Sequence, residues 1–179
     1  MQNSDAPGAW LRRGLFRLGL CALLAATAAS ADELQDAHGF LKAGQQQQAL
    51  DSVNQALRAR PRDPQPRFLK AVILTEQGNS REASEIFTRL TQDFPALPEP
   101  YNNLAVIYAA QGDYEKARAA LEQSIRTRPS YATAYENLGD VYAKLASRAY
   151  GKALQLDKAN SGAQSKLSLA RAIIASGSK

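Results

Sequence analysis

The chain of 179 residues, 45% hydrophobic and 22% charged, has the make-up of a globular protein and not of a disordered or fibrous one. Its formal charge of +5 falls to +3 once the N-terminal stretch carrying Arg12, Arg13, Arg17 and Asp5 is set aside, too weak a bias to mark a polyanion binder. Cys21, the single cysteine, lies in that same stretch, so the remainder holds no thiol for a disulfide or a thiolate metal site, and His38 is the single histidine.

Residues 1–31 read as a cleavable export signal. Arg12, Arg13 and Arg17 supply its positive end, Leu18 to Ala29 is an apolar or small-residue run of 12, and Ala29-Ser30-Ala31 offers the small residues a signal peptidase needs. Twelve residues fall short of the ~20 that span a bilayer, so cleavage after Ala31 is favoured over a retained membrane anchor. Cys21 ends a lipobox-like stretch, but Leu20 stands where Gly, Ala or Ser precedes an acylated cysteine. The short basic form of the signal fits a bacterial periplasm.

From Asp32 onward the chain repeats itself. Gly44, Gly78 and Gly112 are 34 residues apart, and Ala49, Ala83 and Ala117 keep the same period, as do Pro61, Pro95 and Pro129. The clearest unit runs from Tyr101 to Pro129. Tyr101, Leu104, Ala105 and Tyr108 share one helix face, and Ala117, Leu121, Ser124 and Ile125 share another. Between the two helices, Gly112 can take the left-handed conformation that ends a helix, and Asp113 is expected to cap the next through its side-chain oxygen. Pro129 stops the second helix.

Such a hairpin, with Tyr101, Leu104, Ala105, Tyr108, Ala117, Leu121 and Pro129 in these places, resembles the tetratricopeptide repeat. The resemblance implies an all-α solenoid, a right-handed superhelix of about four hairpins closed by a C-terminal capping helix, within residues 32–175. Repeats are expected at about 32–63, 64–97, 98–131 and 132–158, then a capping helix over 160–175 and a tail over 176–179. The first is the least faithful, with Glu33 and Asp36 where an aromatic and a leucine belong, as suits an end cap. The fourth has lost its turn glycine, and its Ala153 arrives five residues early. Either its second helix is short and starts near Ser147, or two helices fuse into a bent one. The short hairpin is favoured, because fusion would leave the third repeat's apolar face partly uncovered. Asn160 or Ser161 can cap the last helix, which carries Ala163, Leu167, Ala170 and Ile174 on one face.

Arg58, Arg60, Arg62 and Arg67 form the densest basic cluster, but Arg58 and Arg60 fall at a helix C-terminus, where cations offset the dipole, as do Arg126 and Arg128 later. With no basic stripe interleaved with exposed aromatics, nucleic acid is not an expected partner. Tyr101, Tyr108, Tyr131, Tyr135 and Tyr142 mostly hold core positions of the repeat. His38 has no thiol to activate and no evident serine partner, phosphate-binding glycine loops are absent, and neither catalysis, a cofactor nor a metal is expected.

In the repeat family the first helices line a concave groove. The resemblance places Leu34, His38, Leu41 and Lys42 there, followed by Phe68, Val72 and Glu76, then Asn102, Val106 and Ala109, and last Glu136, Asp140 and Lys144. The middle is apolar and the far end acidic, which suits a peptide with one or two apolar anchors and a basic flank. The carboxylate-gripping form of the family has Lys and Asn where this chain has Leu34 and His38, so that clamp is not implied. The expected function is a periplasmic adaptor binding a segment of another cell-envelope protein, with no stable membrane span after cleavage. A homo-oligomer built through the apolar end of the stack, or a non-catalytic accessory subunit of an envelope enzyme or assembly, are the alternatives.

Overall fold

The computed structural model describes residues 33–176. The expected export signal at 1–31 lies outside these residues. Among them there are eight helices and no strand: α1 (33–42), α2 (Gln46–Ala59), α3 (Pro64–Glu76), α4 (Ser80–Asp93), α5 (Pro98–Ala110), α6 (Tyr114–Thr127), α7 (Ala132–Leu156) and α8 (Ser161–Ser176). The fold is all-α. The chain clusters into two compact units, divided after Ile73.

The breaks between paired helices have one physical cause, used three times. Gly44, Gly78 and Gly112 have φ of 72°, 80° and 80°, the left-handed conformation that a Cβ opposes. After Gly112, the N–H of Asp113 donates to the Tyr108 carbonyl at 2.9 Å and that of Gly112 to Ala109 at 3.0 Å, the Schellman pattern that satisfies the orphan carbonyls of a helix end. Gln45 to Phe40 and Asn79 to Leu74 repeat it at 2.8 Å each. The position assigned to Asp113 is correct, but its means differs: no side-chain cap bond forms, because the carboxylate pairs with Lys116 at 3.0 Å. The prolines act as read. α2, α4 and α6 end at Ala59, Asp93 and Thr127, each two residues before Pro61, Pro95 or Pro129.

In the first unit Ala37, Ala49, Val53, Leu69 and Ile73 form the buried cluster, with Leu34, Phe40, Leu41, Leu50 and Leu57 packed against it. In the second, α4 packs on α5, α5 on α6, α6 on α7 and α7 on α8. Phe87 and Leu90 are fully buried there, and Ala105, Ala117, Leu121, Ala134 and Val141 make a core between hairpins. Alanines at the closest points let the helix backbones approach. Polar ties fix the ends: buried Ser124 donates to the Pro98 carbonyl at 2.8 Å, and Arg128 pairs with Glu99 at 2.7 Å. The Tyr101 hydroxyl is shared between the carbonyls of Thr91 and Pro95, at 3.3 and 3.4 Å.

The short fourth hairpin does not form. α7 runs unbroken for 25 residues through Ser147, the position expected to begin a second arm. The reason is local: the segment from Lys144 to Arg148 contains strong helix formers and no left-handed glycine, and Gly139 and Gly151 are simply helical residues. Nor is the preceding repeat left bare. Leu145 joins the α5–α6 core, Arg148 donates to the Gly112 carbonyl at 2.9 Å, and its guanidinium lies 4.3 Å from the centre of the Tyr114 ring. α8, expected as a lone cap, is instead the second arm of the last hairpin, packed on α7 through Ala163, Leu167 and Ala170. Asn160 caps it, accepting from the Ala163 N–H at 2.8 Å. Ser176, read as tail, is its last residue.

Candidate functional site

The residues assigned to a groove are best considered unit by unit. In the first unit Leu34 and Leu41 commit part of their surface to the α1–α2 core, Phe68 and Val72 are half-buried on α3, and His38 and Lys42 are exposed. His38 and Lys42 border a shallow, open depression with Gln35, Asp36 and Gln45.

In the second unit, Glu76 is exposed at the end of α3, while α5 and α7 supply the rest. α5 is almost wholly apolar from Leu104 to Ala110, and Leu104, Ala105 and Ile107 are buried. Val106 faces the other way and is 45% exposed. At that exposure the side chain forgoes about half of the roughly 1.5 kcal/mol that full burial of a valine contributes, surface that a ligand could cover. Ala109, one turn on, is half-buried and packs against the α5–α6 core. On α7, Glu136 and Asp140 are exposed and Lys144 is half-buried.

Asn102 corrects the reading of it as a ligand contact. It is 5% exposed, and its side-chain oxygen accepts from the Asn137 amide at 2.8 Å. The pair is a brace that ties α5 to α7; Val106 lies one turn beyond Asn102 on α5, and Glu136 and Asp140 lie beside Asn137 and one turn beyond it on α7. Asn103 bonds within its own helix, to the Glu99 carbonyl at 2.9 Å. The side-chain amides of Asn103 and Asn137 are thus both engaged within the protein, one by the Glu99 carbonyl and the other by the Asn102 oxygen.

The tyrosines divide. Tyr101, Tyr108 and Tyr131 are half-buried, as expected of framework residues, whereas Tyr135 and Tyr142 are 50% and 48% exposed on α7. Burial, helped by the Glu99 carboxylate and opposed by the Arg128 guanidinium, raises the Tyr131 phenol above its ordinary value of 10.0. The hydrogen bond to Asp113, and then its charge, raises Lys116 above 10.5. Both shifts are structural in origin. Among the described residues no group of three or more His, Cys, Asp or Glu side chains is placed to hold a metal ion. Sequence reasoning missed the Asn102–Asn137 brace and the Arg148 clamp, since both depend on contacts 35 and 36 residues apart. The 34-residue period brings just such separations together, and that was the available signal.

Known proteins share this geometry. A family model described as a tetratricopeptide repeat matches residues 40–105, and one described as a TPR repeat matches 107–146. No curated protein sequence matches. Among solved structures, a thermophilic TPR protein of Thermus thermophilus aligns with a TM-score of 0.62 at 24% identity, over 79% of this chain and 81% of that one. The first TPR of Spaghetti (RPAP3), solved with the HSP90 peptide SRMEEVD, aligns with a TM-score of 0.61 at 16% identity, over 66% of this chain and 94% of that one. A mutant O-GlcNAc transferase of Thermobaculum terrenum aligns with a TM-score of 0.61 at 22% identity, over 68% of this chain. The match takes in 23% of the transferase, so the bulk of that enzyme has no counterpart here. At these identities the likeness concerns the fold. The two repeat models together span more than half of the residues, in register with the glycine, alanine and proline series, and the chain belongs to the tetratricopeptide-repeat family.

Proposed function

We propose that the chain is an exported, non-catalytic adaptor of the bacterial periplasm that binds a peptide segment of a cell-envelope protein on the α5–α7 face. The reading is supported by Val106, an exposed aliphatic side chain among buried neighbours on α5, the helix that the Asn102–Asn137 bond ties to α7, where Glu136 and Asp140 are exposed. An apolar anchor resting on Val106 and Ala109, with a Lys or Arg reaching the two carboxylates, fits that chemistry. The HSP90 peptide of the Spaghetti complex is acidic, and like charge at Glu136 and Asp140 would oppose such a ligand here. Export is supported by the sequence of residues 1–31, with its basic end, short apolar run and Ala-Ser-Ala site.

The test is partner capture from the periplasm with Val106→Glu and, separately, Asp140→Lys. Both positions are exposed, so the helical circular-dichroism signal stays that of the parent while capture falls about tenfold or more. Undiminished capture by both variants moves the binding site off this face.

A further inference from the structure

The second unit is electrostatically divided. Residues 74–140 carry 6 Lys or Arg against 10 Asp or Glu, whereas residues 141–176 carry 6 against the single Asp157. The ion pairs seen in the structure join residues between Arg60 and Arg128, and none of the six cations Lys144, Arg148, Lys152, Lys158, Lys166 and Arg171 has a carboxylate partner among the described residues. Arg148 is occupied at the α5–α6 turn. The others add up to a net positive field over residues 141–176, the C-terminal part of α7 and α8.

The same hairpin leaves apolar surface in water. Leu169 and Ile173 are 67% and 52% exposed, and Leu156, between Lys152 and Lys158, is 79% exposed. At 100° per residue, Leu169 and Ile173 share one flank of α8 with Lys166, beside the buried Ala163, Leu167 and Ala170. The outermost line of the helix carries Ser161, Ser165, Ser168 and Ala172, all exposed. The apolar stripe is therefore not the crest of the helix, which a flat bilayer would meet, but its side, where an approaching helix could lie alongside. Symmetrical pairing with a second copy would set Lys166 and its neighbours against like charges.

We propose that this flank of α8 docks an acidic amphipathic segment of another protein, with apolar residues at helical spacing resting on Leu169 and Ile173 and carboxylates facing Lys166 and the cations of the α7–α8 turn. The site is separate in position and opposite in charge from the α5–α7 face. The test uses a labelled designed helical peptide with leucines on one face and glutamates along its edges, its counterpart with lysines for the glutamates, and phosphatidylglycerol vesicles. With the α5–α7 face disabled by Val106→Glu, the acidic peptide binds at least about tenfold more tightly than the basic one and loosens with added salt. The double variant Leu169→Ser with Ile173→Ser loses about tenfold or more, Lys166→Glu loses severalfold, and Val106→Glu binds as the parent does. Equal binding of the two peptides in the Val106→Glu background, full binding by the double variant, or preference for the vesicles overturns the proposal. So does a dimer abolished by that double variant, which would assign the flank to a second copy.

Discussion

Replacing Ser147 by proline distinguishes the continuous α7 from the hairpin expected there, because the two arrangements predict different costs. In an unbroken helix residue 147 donates its N–H to the carbonyl four residues back, at Ala143, and proline removes that bond while its ring clashes with the same carbonyl, a loss of about 3 kcal/mol. The kink also lifts Arg148 from the Gly112 carbonyl and from the Tyr114 ring, an exposed hydrogen bond and a cation–π contact worth about 1–2 kcal/mol together. The combined loss of about 4–5 kcal/mol lowers the thermal midpoint by very roughly 8–20 °C for a chain of this size. Circular dichroism during heating and urea titration reads it, with Ser147→Ala as the control, expected within about 0.5 kcal/mol of the parent. At the first turn of a separate helix proline is well tolerated. Stability of Ser147→Pro within about 0.5 kcal/mol of the parent would therefore refute the continuous helix.

Two further outcomes follow from the same geometry. Gly78→Ala and Gly112→Ala each cost about 1–2 kcal/mol for a Cβ at positive φ, but only at Gly112 does the Cβ approach another residue, Arg148 Nη2 at 3.3 Å, so Gly112→Ala is the less stable of the two in matched urea titrations. Tyr131 and Lys116 both bind their protons more tightly in the folded chain than in the unfolded one, so stability is fully present below pH about 10 and declines as pH rises beyond the unfolded values; Tyr131→Phe flattens that alkaline decline, read as denaturation midpoint against pH.

What the sequence made legible was whatever a single residue type enforces on its own backbone. Gly44, Gly78 and Gly112 had to sit at positive φ, Pro61, Pro95 and Pro129 had to follow helix ends, and the 34-residue period carried the family with them. The failures came where a side chain chose between partners. Asp113 took Lys116 over a cap, and Asn102 took Asn137 over a ligand position. The fourth hairpin differs from expectation because a missing glycine does not shorten a turn: a helix with nothing to break it simply continues. Arg148 then compensates on the neighbouring repeat, through a contact no local pattern encodes. The exposure of Val106, Glu136 and Asp140 agrees with the repeat register, but the same register also assigned Asn102 to the surface, where it is buried.

The adaptor reading meets its most direct test in site-specific photocrosslinking within the exporting cell, with the reactive residue placed at Val106 on the α5–α7 face or at Ala119, exposed on α6. The account predicts a discrete adduct with an envelope protein at Val106, absent at Ala119 and lost when Asp140 is reversed to Lys. Equal labelling at both positions, or a discrete adduct at Ala119 alone, would contradict it.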